Sequence, residues 1–168
     1  VPDPGVQGGH QVAQRLEEFL SAHHGRDLTT HAEMALDADG RVLAMRLRSY
    51  GNVGAYPTFA GVLIVLAMGP WVTTGVYDIP LIDFHLSAVI TNTTPTSPYR
   101  GAGRPEAVFI TERLLDLAAR RLGIDPAELR RRNLIRPDQM PYRNPMGQTY
   151  DCGQFERMLD QGLALAQR

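Results

Sequence analysis

The stretch Pro98-Tyr99-Arg100-Gly101-Ala102-Gly103-Arg104-Pro105-Glu106 carries the most chemical potential in this sequence. Two glycines within three residues permit positive φ and let a bulky ligand lie against bare backbone. The loop feeds a helix N-terminus, whose free N–H groups attract anionic or electron-rich groups. The same pattern also serves as a tight turn before a capped helix. His23-His24, with Asp27 close by, could ligate a metal or act as a base. Adjacent side chains on a strand point to opposite faces and rarely share one ion, so a solvated pair near a turn is expected. Glu17-Glu18 offers either a substrate-orienting carboxylate or a solvated helix face. Arg130-Arg131-Arg132 is either an anion patch or a basic last turn complementing its helix dipole. Cys152 has no histidine near it in sequence to activate it, so a small buried residue is expected there.

The elements that must position these groups are legible from periodicity. Residues 1–11, with two Pro and three Gly, form an irregular lead-in. Val12, Leu16, Phe19 and Leu20 predict a short amphipathic helix over 12–22. Ala32, Met34 and Leu36 alternate with His31 and Glu33. After the Asp39-Gly40 turn, Leu43, Met45 and Leu47 alternate with Ala44, Arg46 and Arg48, a hairpin signature. Residues 51–61 hold three Gly and a Pro and cannot be regular throughout; 62–68 is helical. Ile82, Phe84, Leu86, Ala88 and Ile90 predict a further strand. Pro105 and Glu106 open a helix that stops at Gly123. Asp125 caps the next helix, with Glu128 as its capping-box partner. Three prolines make 135–150 an irregular excursion, and Asp151 is expected to cap a last helix carrying Phe155, Met158, Leu159 and Leu165. The fold class is α+β, with strands first and helices later.

Composition narrows the functions. The chain of 168 residues has a net charge of −1, which disfavours a general nucleic-acid binder. All 17 basic residues are Arg, so Schiff-base and P-loop lysine chemistry is excluded. A single cysteine rules out an internal disulfide framework and fits a reducing compartment. The longest strongly apolar run, Val62–Met68, is far short of the roughly 20 residues of a membrane span. A start at Val1 and an end inside a helical pattern read as a piece of something longer.

Tyr99 to Ala107 resembles the active-site loop of the molybdenum-binding large subunit of the xanthine dehydrogenase and aldehyde oxidase family, nearest its carbon-monoxide-dehydrogenase-like branch. The resemblance continues through 22–27, 51–56, 77–80, 91–93 and 125–133, and spans roughly 14–168 in unbroken order. It implies that residues 1–168 are one incomplete segment of a molybdopterin-binding domain. It also implies hydroxylation of an aldehyde or aromatic heterocycle, with water as the oxygen source. The implied cofactor is molybdopterin with molybdenum, in its cytosine dinucleotide form. Electrons would leave through 2Fe–2S clusters on an iron–sulfur small subunit and FAD on a medium subunit. The assembly would be a cytoplasmic dimer of heterotrimers acting on a small molecule.

By the same resemblance, Tyr99, Arg100, Gly101, Ala102 and Gly103 would lie beside the cofactor, and Glu17 would orient substrate. Ala102 stands where relatives often carry an aromatic, which implies a roomier pocket. Gly101 stands where copper-using carbon-monoxide dehydrogenases carry cysteine, so the copper mechanism is not expected. Met68 stands where purine-oxidising members carry an arginine, which disfavours purines. The family's upstream glycine-rich cofactor motif and downstream glutamate base fall outside these residues, so the segment alone is expected to be inactive. Gly101→Val is expected to abolish turnover of the full enzyme without unfolding it. The competing expectation is a non-catalytic α+β module that binds a partner protein or small anion through 99–106.

Overall fold

The structure is a computed structural model that describes residues 15–166. The helix expected over 12–22 is observed as α1 (Arg15–Ser21); its first residues and the 1–11 lead-in lie outside the described residues. Strands β1 (Leu28–Leu36) and β2 (Val42–Gly54) pair antiparallel around the Asp39-Gly40 turn. Asp37 closes that turn, its Oδ1 accepting from the N–H of Asp39 at 3.0 Å and of Arg41 at 2.8 Å. β1 alternates as its sequence predicts, with His31 and Glu33 exposed.

In β2 the alternation slips. Leu36 pairs with Val42 while Ala35 pairs with Ala44, so Leu43 is the extra residue of a bulge and is 51% exposed. Val42, not Leu43, joins Met45 and Leu47 in the core. A period of two cannot register the inserted residue.

β2 also continues through Gly51–Gly54, because β3 (Ile82–Ile90) pairs with it in parallel, from Met45↔Ile82 to Gly54↔Ile90. Parallel neighbours require a crossover. Here it contains α2 (Phe59–Leu63), a π-helical turn over Ile64–Met68 and α3 (Gly69–Trp71), so 62–68 is helical as expected. Thr58 Oγ1 caps α2 by accepting from Gly61 N–H at 3.0 Å.

α4 (Arg104–Leu122) starts after Gly103, carries Pro105 in its first turn and ends at Gly123. α5 (Pro126–Asn133) is capped by Asp125, whose Oδ1 accepts from the N–H groups of Ala127 and Glu128, both at 2.9 Å. Glu128 does not complete a capping box. Its carboxylate takes Arg131 Nη1 at 2.9 Å and Arg132 Nε at 3.0 Å instead. The excursion after α5 contains a 3-10 turn (Pro137–Gln139) and a minimal antiparallel pair, β4 (Tyr142–Arg143) and β5 (Thr149–Tyr150). α6 (Phe155–Ala166) begins four residues after Asp151, too far for that residue to cap it. Phe155 and Leu159 pack toward the core, whereas Met158 and Leu165 stay exposed.

Met45, Leu47, Ile79, Leu115 and Leu129 are fully buried where α4 and α5 cover the sheet. Each such side chain contributes about 1.5–3 kcal/mol by leaving water. The three consecutive arginines are neither an anion patch nor merely a basic last turn. Arg130 Nη2 lies 2.7 Å from Glu112 Oε2 and 2.8 Å from Asp116 Oδ1, joining α5 to α4. Arg131 Nη2 reaches Asp160 Oδ1 on α6 at 2.5 Å. Arg132 Nη1 donates to the Asp39 carbonyl at 2.7 Å. Besides Glu128 on their own helix, their partners stand elsewhere in the fold, which sequence adjacency does not reveal.

Candidate functional site

The 99–103 loop is a left-handed segment on the surface. Gly101, Ala102 and Gly103 have φ of +92°, +45° and +87°. Ala102 N–H donates to the Tyr99 carbonyl at 2.8 Å, and Arg104 N–H to the Gly101 carbonyl at 3.0 Å. These two turns deliver the chain into α4. Tyr99 is 64% exposed and Gly101 is exposed, whereas Gly103 is buried.

The glycines are required first by the chain itself. A Cβ on Gly101 would stand 2.5 Å from Pro105 Cγ and 2.6 Å from its Cδ. A Cβ on Gly103 would stand 2.8 Å from Gly69 N and 3.0 Å from its Cα. The missing side chains therefore admit Pro105 and the crossover, and what the loop turns to solvent at Gly101 is backbone. Such an exposed, left-handed, side-chain-poor surface fits close approach of a large flat cofactor. The contact with Gly69 also brings the neighbouring Met68, half-buried in the π turn, to the loop's edge.

Arg26 organises the segment. Its Nη2 donates to the Arg100 carbonyl, its Nε lies 3.2 Å from Glu106 Oε1, and its guanidinium stacks 4.6 Å above the Tyr99 ring. Glu106 Oε2 is buried with no hydrogen-bond partner among the described residues. Arg26 and Glu106 line both a mostly apolar cavity of about 60 Å³ and an open groove along Leu28, Thr30 and Phe109. The cavity is far smaller than the roughly 300–1,000 Å³ of ligand pockets, so it does not house a ring-sized substrate.

Asn52 is a second organiser that residue-type reasoning missed. Its Nδ2 donates to Asp27 Oδ2 at 2.8 Å and to Thr93 Oγ1 at 2.9 Å. Its Oδ1 accepts from Gly54 N–H at 2.8 Å and from Thr91 Oγ1 at 2.7 Å. Three separate stretches of the sequence thus meet at one amide. The available signal was that each stretch belongs to the same family resemblance.

The other candidates lie outside this cavity and groove. Glu17 is exposed on α1 and is not among the residues lining the cavity or the groove. His23 and His24 are exposed; His24 makes a bridge to Thr96, and no group of three metal-ligating side chains occurs among the described residues. Cys152 is exposed rather than buried, and its hydrogen bond with the Asp151 carboxylate pushes the thiol above its ordinary range. That shift opposes nucleophilic use.

The 6-hydroxypseudooxynicotine dehydrogenase complex subunit gamma of Paenarthrobacter nicotinovorans is 38% identical over 133 residues, covering 76% of this chain and 16% of that protein. The carbon monoxide dehydrogenase large chain of Afipia carboxidovorans is 35% identical over 146 residues, covering 86% of this chain and 18% of that one. Among solved structures, quinoline 2-oxidoreductase from Pseudomonas putida 86 superposes with a TM-score of 0.82 at 36% identity, over 94% of this chain and 21% of the other. The chain thus spans about a fifth or less of the length of these relatives. No helix among the described residues is long and apolar enough to cross a membrane. Residues 10–134 match the molybdopterin cofactor-binding domain, and the chain belongs to that family.

Proposed function

We propose that this segment forms part of the cofactor-facing wall of a molybdenum hydroxylase large subunit that oxidises an aldehyde or aromatic heterocycle. The observation that carries the reading is the left-handed loop at Gly101-Ala102-Gly103, exposed at Gly101 and half-exposed at Ala102, lying within the part of the chain that matches the cofactor-binding family. When bound, the molybdenum–pterin group supplies two-electron oxidation of a C–H bond with oxygen drawn from water. The backbone of Arg100, Gly101, Ala102 and Gly103 would lie against that group, with Tyr99 beside it. Ala102 offers only a methyl, which leaves room for a flat ring. Glu17 would accept a hydrogen bond from substrate and orient it.

The cytosine dinucleotide form of the cofactor belongs to this reading. So do an iron–sulfur small subunit with 2Fe–2S clusters, a medium subunit with FAD, a dimer of such heterotrimers and a cytoplasmic location. Gly101 carries no sulfur, so carbon monoxide oxidation through a copper thiolate is not part of the reading. Elemental analysis of the enzyme isolated from its source, with its native mass, tests it. Molybdenum stoichiometric with the chain in a multi-subunit complex is the expected result. A metal-free species would overturn it. Ala102→Phe in that complex should raise KM for a bicyclic heterocycle more than for a small aldehyde.

A further inference from the structure

We infer that Arg26 is the positioning residue of the 99–106 loop, holding its backbone in the shape it presents; this rests on the reading that the loop faces the cofactor. Four observations converge on it. Among the described residues only two non-glycine residues have positive φ, Arg26 at +59° and Ala102 at +45°, and both belong to this one assembly. Left-handed backbone is costly for a side-chain-bearing residue and persists where its surroundings over-determine it.

Those surroundings are explicit. On one side, His24 is locked alongside the chain before the loop, with His24 N–H donating to the Pro95 carbonyl at 3.1 Å and Ser97 N–H to the His24 carbonyl at 2.8 Å. On the other side, Asp27 is held by both the backbone N–H and the side chain of Asn52, at 2.9 and 2.8 Å. The backbone of Arg26 has nowhere else to go.

The guanidinium then makes three different contacts at once: the Arg100 carbonyl, Glu106 Oε1 and the Tyr99 ring. A planar fork with several donors can do this, whereas a lysine ammonium offers a single point charge. Glu106 is the counterpart. Its side chain is 17% exposed, and Arg26 is its ion-pair partner among the described residues. Gly25 completes the fit, since a Cβ there would stand 2.6 Å from Tyr99 Cβ. Arg26 reaches the loop through the Arg100 carbonyl and the Tyr99 ring, so its influence on chemistry is indirect.

Arg26→Gly is the informative variant, because glycine accepts φ of +59° without strain while the whole side chain is removed, and Arg26→Lys, which keeps a stem and a charge, isolates the guanidinium fork. It would be made in the full enzyme purified with its partners, beside Arg26→Lys and Ala102→Phe. The first readout is amide hydrogen exchange over 98–107, which does not depend on turnover. Exchange at Ala102 and Arg104 should rise about tenfold in Arg26→Gly and Arg26→Lys, the loss of one restraining contact set, while exchange in the β1–β2 hairpin stays unchanged. The second is the paramagnetic resonance spectrum of the half-reduced molybdenum, with kcat and KM. The spectrum should change and kcat fall about tenfold with KM little affected, and added guanidinium should restore part of kcat in Arg26→Gly.

Unchanged exchange in Arg26→Gly overturns the inference. Altered exchange with a metal spectrum that responds to Ala102→Phe but not to Arg26→Gly also overturns it and leaves the reading of the loop intact. A spectrum indifferent to both variants removes the reading and the inference together.

Discussion

Asn133 fixes the far end of the β1–β2 hairpin through Val42, whose backbone N–H donates to Asn133 Oδ1 at 2.8 Å. The same buried amide donates through Nδ2 to the Gly40 and Leu129 carbonyls at 2.8 and 2.9 Å. One side chain at the end of α5 therefore satisfies backbone groups of both the hairpin turn and its own helix.

Asn133→Ala should be strongly destabilising, because it leaves those backbone groups buried and unpaired. Each unsatisfied group costs about 1–3 kcal/mol, so a loss of roughly 2–5 kcal/mol is expected from denaturant titration of the purified protein. A loss under about 1 kcal/mol would mean that water or another side chain replaces the amide.

Gly101→Val should unfold or weaken the loop whatever the loop binds. A φ of +92° is unfavourable for a β-branched residue, and the new Cβ would meet Pro105 at 2.5 Å. The combined penalty is about 2–5 kcal/mol from backbone strain and overpacking. The expectation from sequence that this variant spares the fold is therefore corrected by the geometry. Thermal unfolding of the variant checks it: an unchanged midpoint would restore the earlier expectation. Ala102 already bears a Cβ, so variants there are the cleaner probe of the loop's outer face.

Alkaline pH should destabilise the protein through buried Tyr77 and half-buried Tyr142 and Tyr150. Burial, then the 2.6 Å hydrogen bond to Glu112, pushes the Tyr77 hydroxyl well above the ordinary tyrosine range. Burial, then the Asp78 charge, does the same to Tyr142, and burial raises Tyr150. A raised folded-state pKa keeps the proton bound in the fold while the unfolded chain releases it near about 10. Their contribution is thus fully present below about pH 10 and is lost as pH rises from there toward the folded values. The unfolding midpoint should fall above about pH 10, and Tyr77→Phe should fall less steeply. Parallel slopes for the two proteins would show that Tyr77 is not the source.

Much of this was written in the sequence, because the relevant forces are local. Period-two alternation gave β1 and β3, Pro105 and Gly123 bracketed α4, and Asp125 capped α5, each within a residue or so of the structure. The loop at 99–103 was also legible, since glycine at Gly101 and Gly103 is the chemical statement of a left-handed turn. What the sequence could not contain was the pairing of distant groups. The Leu43 bulge depends on how β1 meets β2, and the parallel partner of β2 lies beyond a crossover. Arg130, Arg131 and Arg132 look like one patch in a row of letters, yet helical geometry sends them to Glu112, Asp160 and Asp39 on different elements. Arg26 and Glu106 are unremarkable polar residues until the fold lays 24–27 beside 95–99. Local conformational preference is a property of a few consecutive residues and can be read from them. Which guanidinium meets which carboxylate is decided by the packing of the whole chain, and only the tertiary structure holds that information.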